Sequence, residues 1–131
     1  MSSSALAKWH HIVLNKDVGA LDSLLADEVV FHSPIIHTPQ IGKAITQRYL
    51  TAACAVFFNE TFRYVREVVN GHDAMLEFLV TVDDITVNGV DMIKSNDDGQ
   101  IVEFKVMLRP LKGINVIHEK MAALLRLDRN I

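Results

Sequence analysis

The chain has 131 residues, half of them hydrophobic, and a formal net charge of −3. That is the size of one domain, with enough apolar content to bury a core, which excludes a disordered chain. Mild acidity without a basic run excludes a nucleic-acid surface, and no stretch approaches the roughly 18 apolar residues of a membrane span. The opening MSSSALAKWHH lacks the apolar segment and small-residue cleavage site of a secretion signal. Cys54 is the only cysteine, so no intrachain disulfide can form, and the expected location is the cytoplasm. Cys54 lies in the apolar run AACAVFF, where a buried, inert thiol is expected.

Helical spacing dominates the first part of the chain. Leu6, Trp9 and Val13 recur at helical intervals over residues 3–15. Asp17 is placed to cap a second short helix carrying Leu21, Leu24 and Leu25. A short strand is predicted from Val29 to His32, stopped by Ser33-Pro34. A third helix is predicted to start after Thr38-Pro39, because proline suits a first helical turn, and to reach about Phe58. From there the period changes to two. TFRYVREVV, AMLEFLVTV, ITVNGVDMIK and QIVEFKVMLR read as four strands. Tight punctuation at Asn70 to Asp73, Asp83-Asp84 and Asn96 to Gly99 joins them as an antiparallel meander. A last helix is predicted from Gly113 to Leu127. Helices segregated from a meander give an α+β domain, with helices on one sheet face.

Counting residues across these turns sorts the side chains by face, and a one-residue error would invert a strand. Taking Asp83-Asp84 as a two-residue turn and Asn96 to Gly99 as a four-residue turn pairs Phe78 with Gly89, Leu76 with Asp91, Ile93 with Val102 and Asp91 with Phe104. One face then carries Leu76, Phe78, Val80, Val87, Ile93, Val102, Phe104 and Val106, with Asp91 as the polar exception. Arg63, Val65 and Glu67 fall on the same face. The other face carries Phe62, Tyr64, Met75, Leu79, Val90 and Met107 among charges that pair across strands, such as Arg66 with Glu77. Its apolar surplus predicts a subunit interface, with Tyr64, Leu79, Val90 and Met107 near its centre.

The stretches LADEVVFHSPIIHTPQIGKA and GVDMIKSNDDGQIVEFKVMLRP, and the order of elements between them, resemble the SnoaL-like branch of the nuclear transport factor 2-like superfamily over roughly residues 5–110. The resemblance implies one cone-shaped domain over residues 1–131. In it a bent antiparallel sheet is wrapped by N-terminal helices around a pocket, and dimers form through the sheet. It also implies an aspartate or histidine base on the pocket wall. The segment after Pro110 departs from the common pattern, as an additional C-terminal helix that covers the pocket mouth or extends the interface.

Asp91 is the sharpest candidate for a catalytic role, because a carboxyl in an apolar pocket has its charged form disfavoured and becomes a proton-transfer group near neutral pH. Its bland alternative is an acid bonded to a neighbouring histidine, arginine or backbone amide. His32 is the candidate partner or base, against a packed histidine at a strand end. His37 reads as a rim residue. Candidate ligand contacts are Arg63, Glu67, Phe31, Phe78, Phe104, Val106 and Tyr49. Arg63 and Glu67 stand about 13 Å apart along a strand, too far to pair. His10-His11 and His118-Glu119 have no metal-ligand spacing, so no metal is expected, and Ser33 reads as a turn residue.

Two functions of different class follow. One is cofactor-free proton transfer (isomerisation, aldol-type cyclisation or dehydration) on a small hydrophobic carbonyl compound. The other is a non-catalytic module that binds a hydrophobic ligand or dimerises.

Overall fold

The computed structural model describes residues 2–129. Helix α1 spans Ser2–Asn15 and buries Ala5, Trp9 and Ile12. The predicted second helix is shorter than its leucines suggest. A 3-10 turn at Val18–Ala20 leads into one helical turn, α2, at Leu21–Leu24. Asp17 precedes it but makes no side-chain cap. Leu25 already belongs to strand β1, Leu25–His32, so the strand begins before the predicted Val29. Pro39 is not in a first helical turn either: the short strand β2, Gln40–Ile41, intervenes, and α3 runs Lys43–Phe57 behind Gly42.

Strands β3 (Arg63–Asn70), β4 (Asp73–Val82), β5 (Ile85–Ser95) and β6 (Ile101–Arg109) form the predicted meander, and α4 (Leu111–Arg129) follows. The sheet has six strands in the order β2-β1-β6-β5-β4-β3. Its neighbours are antiparallel, except that β1 runs parallel to β6. Asp83 and Asp84 both have positive φ (50° and 65°) and close β4 onto β5 in two residues, the backbone of a tight hairpin turn. Phe78 faces Gly89 and Leu76 faces Asp91, as the turn predicts.

Two ladders are irregular, and both matter for the site. Between β5 and β6 the turn has one residue more than predicted, and a bulge at Val102 adds another. Asp91 therefore pairs with Val106 and Ile93 with Phe104. The two displacements sum to an even number, so Phe104 and Val106 keep the predicted inward face. Ile101 is buried in place of Val102. In β3, Val65 is bulged: Tyr64 pairs with Phe78, while Arg66 pairs with Glu77. One extra residue inverts the strand before it, so Tyr64 turns inward and Arg63 turns outward, the reverse of the predicted faces. Glu67, beyond the bulge, stays opposite Leu76.

Under the helices lie two apolar clusters. The first holds Trp9, Leu50, Leu76 and Phe104, the second Phe57, Phe78, Val87 and Ile117. Phe58, Tyr64 and Leu108 pack against both. Gly89 is required by this packing, because a Cβ there would stand 2.4 Å from the Phe78 Cζ atom and 2.7 Å from Leu108 Cδ2. Among the described residues, no helix is long and apolar enough to cross a membrane.

Candidate functional site

Asp91 sits mid-strand in β5, on the face that meets the helices, and is 6 % exposed. It borders a cavity of about 30 Å³ between α1, α3 and the sheet, lined by Trp9, Cys54, Phe57, Phe58, Phe78 and Phe104 among others. These residues come from both apolar clusters, so the cavity lies at their junction. The Tyr64 hydroxyl donates to Asp91 Oδ2 at 2.6 Å, and Trp9 Nε1 donates to the Tyr64 oxygen at 2.9 Å. The indole stands edge-on to Phe104, centroids 4.9 Å apart. Tyr64 is the one hydrogen-bond partner of the Asp91 carboxyl among the described residues.

Burial pushes the Asp91 carboxyl up to about 7, and the Tyr64 hydrogen bond pulls the other way. Desolvation disfavours the carboxylate, while a donor to it favours it. Tyr64 is held well above the usual phenol range, first by burial and then by the charge of Asp91. Burial, with Asp91 nearby, also pushes the Cys54 thiol up to about 12, so it stays protonated and unreactive.

The other sequence candidates separate. His32 does not approach Asp91: it stands beside Lys105 on the outer face, with Nε2 2.9 Å from Glu103 Oε2. Arg63 is exposed and donates to the Thr61 carbonyl. Glu67 lies on the inner face near the rim, 2.8 Å from His10 Nε2, and the His10 ring stands edge-on to Tyr64. Phe78, Phe104 and Val106 line the Asp91 cavity; Phe31 and Tyr49 line a neighbouring apolar chamber of about 130 Å³ under α4. Residue counting missed Tyr64 as the partner of the acid, and Trp9 as the donor to Tyr64. The available signal was the aromatic alternation of Phe62 and Tyr64 ahead of a charged strand.

Residues 6–104 match the SnoaL-like domain model. The chain belongs to the SnoaL-like family. A solved structure described as a steroid delta-isomerase from Pseudomonas aeruginosa is 34 % identical; the match covers 99 % of this chain and 95 % of that one, with a TM-score of 0.93. An uncharacterised bacterial protein with a cystatin-like fold, from Silicibacter pomeroyi, is 31 % identical over 96 % of this chain and 88 % of that one, TM-score 0.87. A nuclear transport factor 2-like protein of unknown function from Mesorhizobium loti is 19 % identical over 83 % and 91 %, TM-score 0.71, and shows the fold alone. A comparison with curated proteins gives no match. In this SnoaL-like chain α4 lies beyond the segment that matches the family model.

Proposed function

We propose that the chain is a proton-transfer enzyme acting on a small hydrophobic carbonyl compound. Asp91 is the group that takes and returns the proton, and Tyr64 is its hydrogen-bonding partner. One observation carries this reading: a buried carboxyl at a cavity wall, with one oxygen held by a tyrosine and the other without a protein partner. An acid whose midpoint lies near the working pH is present in both forms, as proton transfer requires. As carboxylate, Asp91 would take a proton from the carbon beside the carbonyl. The C–H electron pair would pass into the enolate, and the proton would return to the same carbon or, where a carbon–carbon double bond adjoins the enolate, to the far end of that double bond, which shifts into conjugation. Nothing is oxidised or reduced, so the step calls for no cofactor. The likeness to a protein described as a steroid delta-isomerase supports an isomerisation within this set.

The test is solvent-deuterium incorporation beside the carbonyl of cyclohexanone, followed by NMR. Exchange above the buffer rate is expected for the wild type and none for Asp91→Asn. Equal rates in a folded Asp91→Asn protein would overturn the assignment.

The outer sheet face supports a second reading, compatible with the first, in which two copies pair there. Val68, Met75 and Met107 are 55 %, 44 % and 50 % exposed. They line a groove of about 450 Å³ with Val90 and the cross-strand pair Arg66–Glu77, 3.5 Å apart. Exposed apolar surface of this kind marks interfaces. Tyr64, expected at the centre of this face, is not part of it.

A further inference from the structure

We infer that the apolar chamber under α4 and the Asp91 cavity form one elongated site, in which an unbranched hydrophobic tail lies under α4 and a single polar end group reaches Asp91 and Tyr64. This rests on the proposed reading of Asp91.

Size comes first. The Asp91 cavity, at about 30 Å³, has room for a water or two but not for an organic substrate. The chamber, at about 130 Å³, is close to the roughly 150 Å³ at which a dry cavity accepts a benzene-sized guest. Continuity is the second point: Ala53, Phe57 and Val106 line both spaces and form the wall between them. Phe57 is the last residue of α3, and its ring, edge-on to Phe78 at 5.5 Å, is the partition that must rotate to join them.

Chemistry is the third. Phe31, Ile35, Ile117, Met121 and Leu125 make the chamber apolar. Of its polar residues, Ser33 accepts the amides of Ile35 and Ile36, His118 is exposed, and Tyr49 brings one phenol hydroxyl. The buried carboxyl, and with it the strongest polar anchor, is at the Asp91 end. Helix α4 is held over the chamber by buried Ile117, by Lys120 at 3.2 Å from Asp83, and by Arg48, which donates to the Leu125 carbonyl at 3.4 Å. A ligand of this shape has one carbonyl end and a plain hydrocarbon end. A charged second end would find no countercharge among the apolar side chains of the chamber and would be costly to bury there.

Binding of butanone, methyl butyl ketone and methyl hexyl ketone to the full chain, followed by methyl and aromatic NMR, tests this. Affinity is expected to rise about three- to fourfold per added methylene. Bound methyl hexyl ketone is expected to show contacts from its acetyl methyl to Tyr64 and from its chain end to Met121 and Ile117. Met121→Trp, which fills the chamber, should remove the length dependence and weaken every ketone, the longest most; the contacts in the unaltered protein decide the matter if this variant misfolds. If butanone shifts Tyr64 but the longer ketones bind no tighter and leave Met121 unmoved, the elongated site is overturned and the Asp91 reading stands. If the longer ketones move Met121 but never Tyr64, the two spaces are separate and the inference fails. If none of the ketones binds, this inference and the Asp91 reading fall together.

Discussion

At the scale of the residue, stability and the proposed chemistry both depend on the Asp91 proton. Its ordinary midpoint is 3.8 and its folded midpoint about 7. Below the first value both folded and unfolded chains hold the proton, and the acid costs nothing. Between the two, the unfolded chain releases its proton while the folded chain keeps it, so stability falls as pH rises and the loss is complete above about 7. The full shift corresponds to roughly 4 kcal/mol at most. Asp91→Asn keeps the shape without the charge. It is expected to match the wild type in urea unfolding near pH 4 and to exceed it by a few kcal/mol at pH 8. Tyr64→Phe takes away a donor to the carboxylate, so the Asp91 midpoint, read by carboxyl NMR, should rise further. It also strands the Trp9 N–H, with an expected loss of about 1–3 kcal/mol. Asp91 itself was legible from the sequence, because a lone carboxylate in a row of large apolar residues stands out whatever the register. Its partner was not, since the inward turn of Tyr64 depends on the Val65 bulge.

At the scale of the element, turn chemistry and period two make the meander readable, and the Asp83-Asp84 turn fixes the β4–β5 register to the residue. The β5–β6 register was displaced by two, yet the inward faces of Phe104 and Val106 survive because even displacements preserve parity. Boundaries near α2 and β2 escaped because their leucines and proline satisfy strand and loop as readily as helix. The Phe78–Gly89 pairing supplies a sharp test. Gly89→Ala places a methyl against an aromatic ring and Leu108, with no flexible terminus to yield at the ring. An expected cost of about 1–3 kcal/mol in chemical denaturation follows, and Phe78→Leu in the same chain should recover part of it.

At the scale of the whole molecule, one sheet separates two environments. Its inner face holds the acid and the chamber; its outer face presents Val68, Met75 and Met107. If copies pair there, sedimentation at micromolar concentration should give twice the chain mass, and Met107→Glu should return it to one while leaving the Asp91 midpoint unchanged. A single-chain mass for the wild type would remove the paired reading. The family resemblance and the fold were open to sequence reasoning because they rest on long periodic segments, whereas the cavity depends on where two clusters fail to close against each other.

The bulge at Val65 has a consequence for how such a protein can diverge. Side chains along a strand have two addresses, and point substitution changes the occupant without changing the address. Insertion or deletion of one residue in β3, an edge strand exposed from Val65 to its end, readdresses Tyr64 while β4 and β5 stay as they are. Descendants of this chain can therefore gain or lose the partner of the buried acid in one length change at the rim, with the acid and the core around it inherited intact.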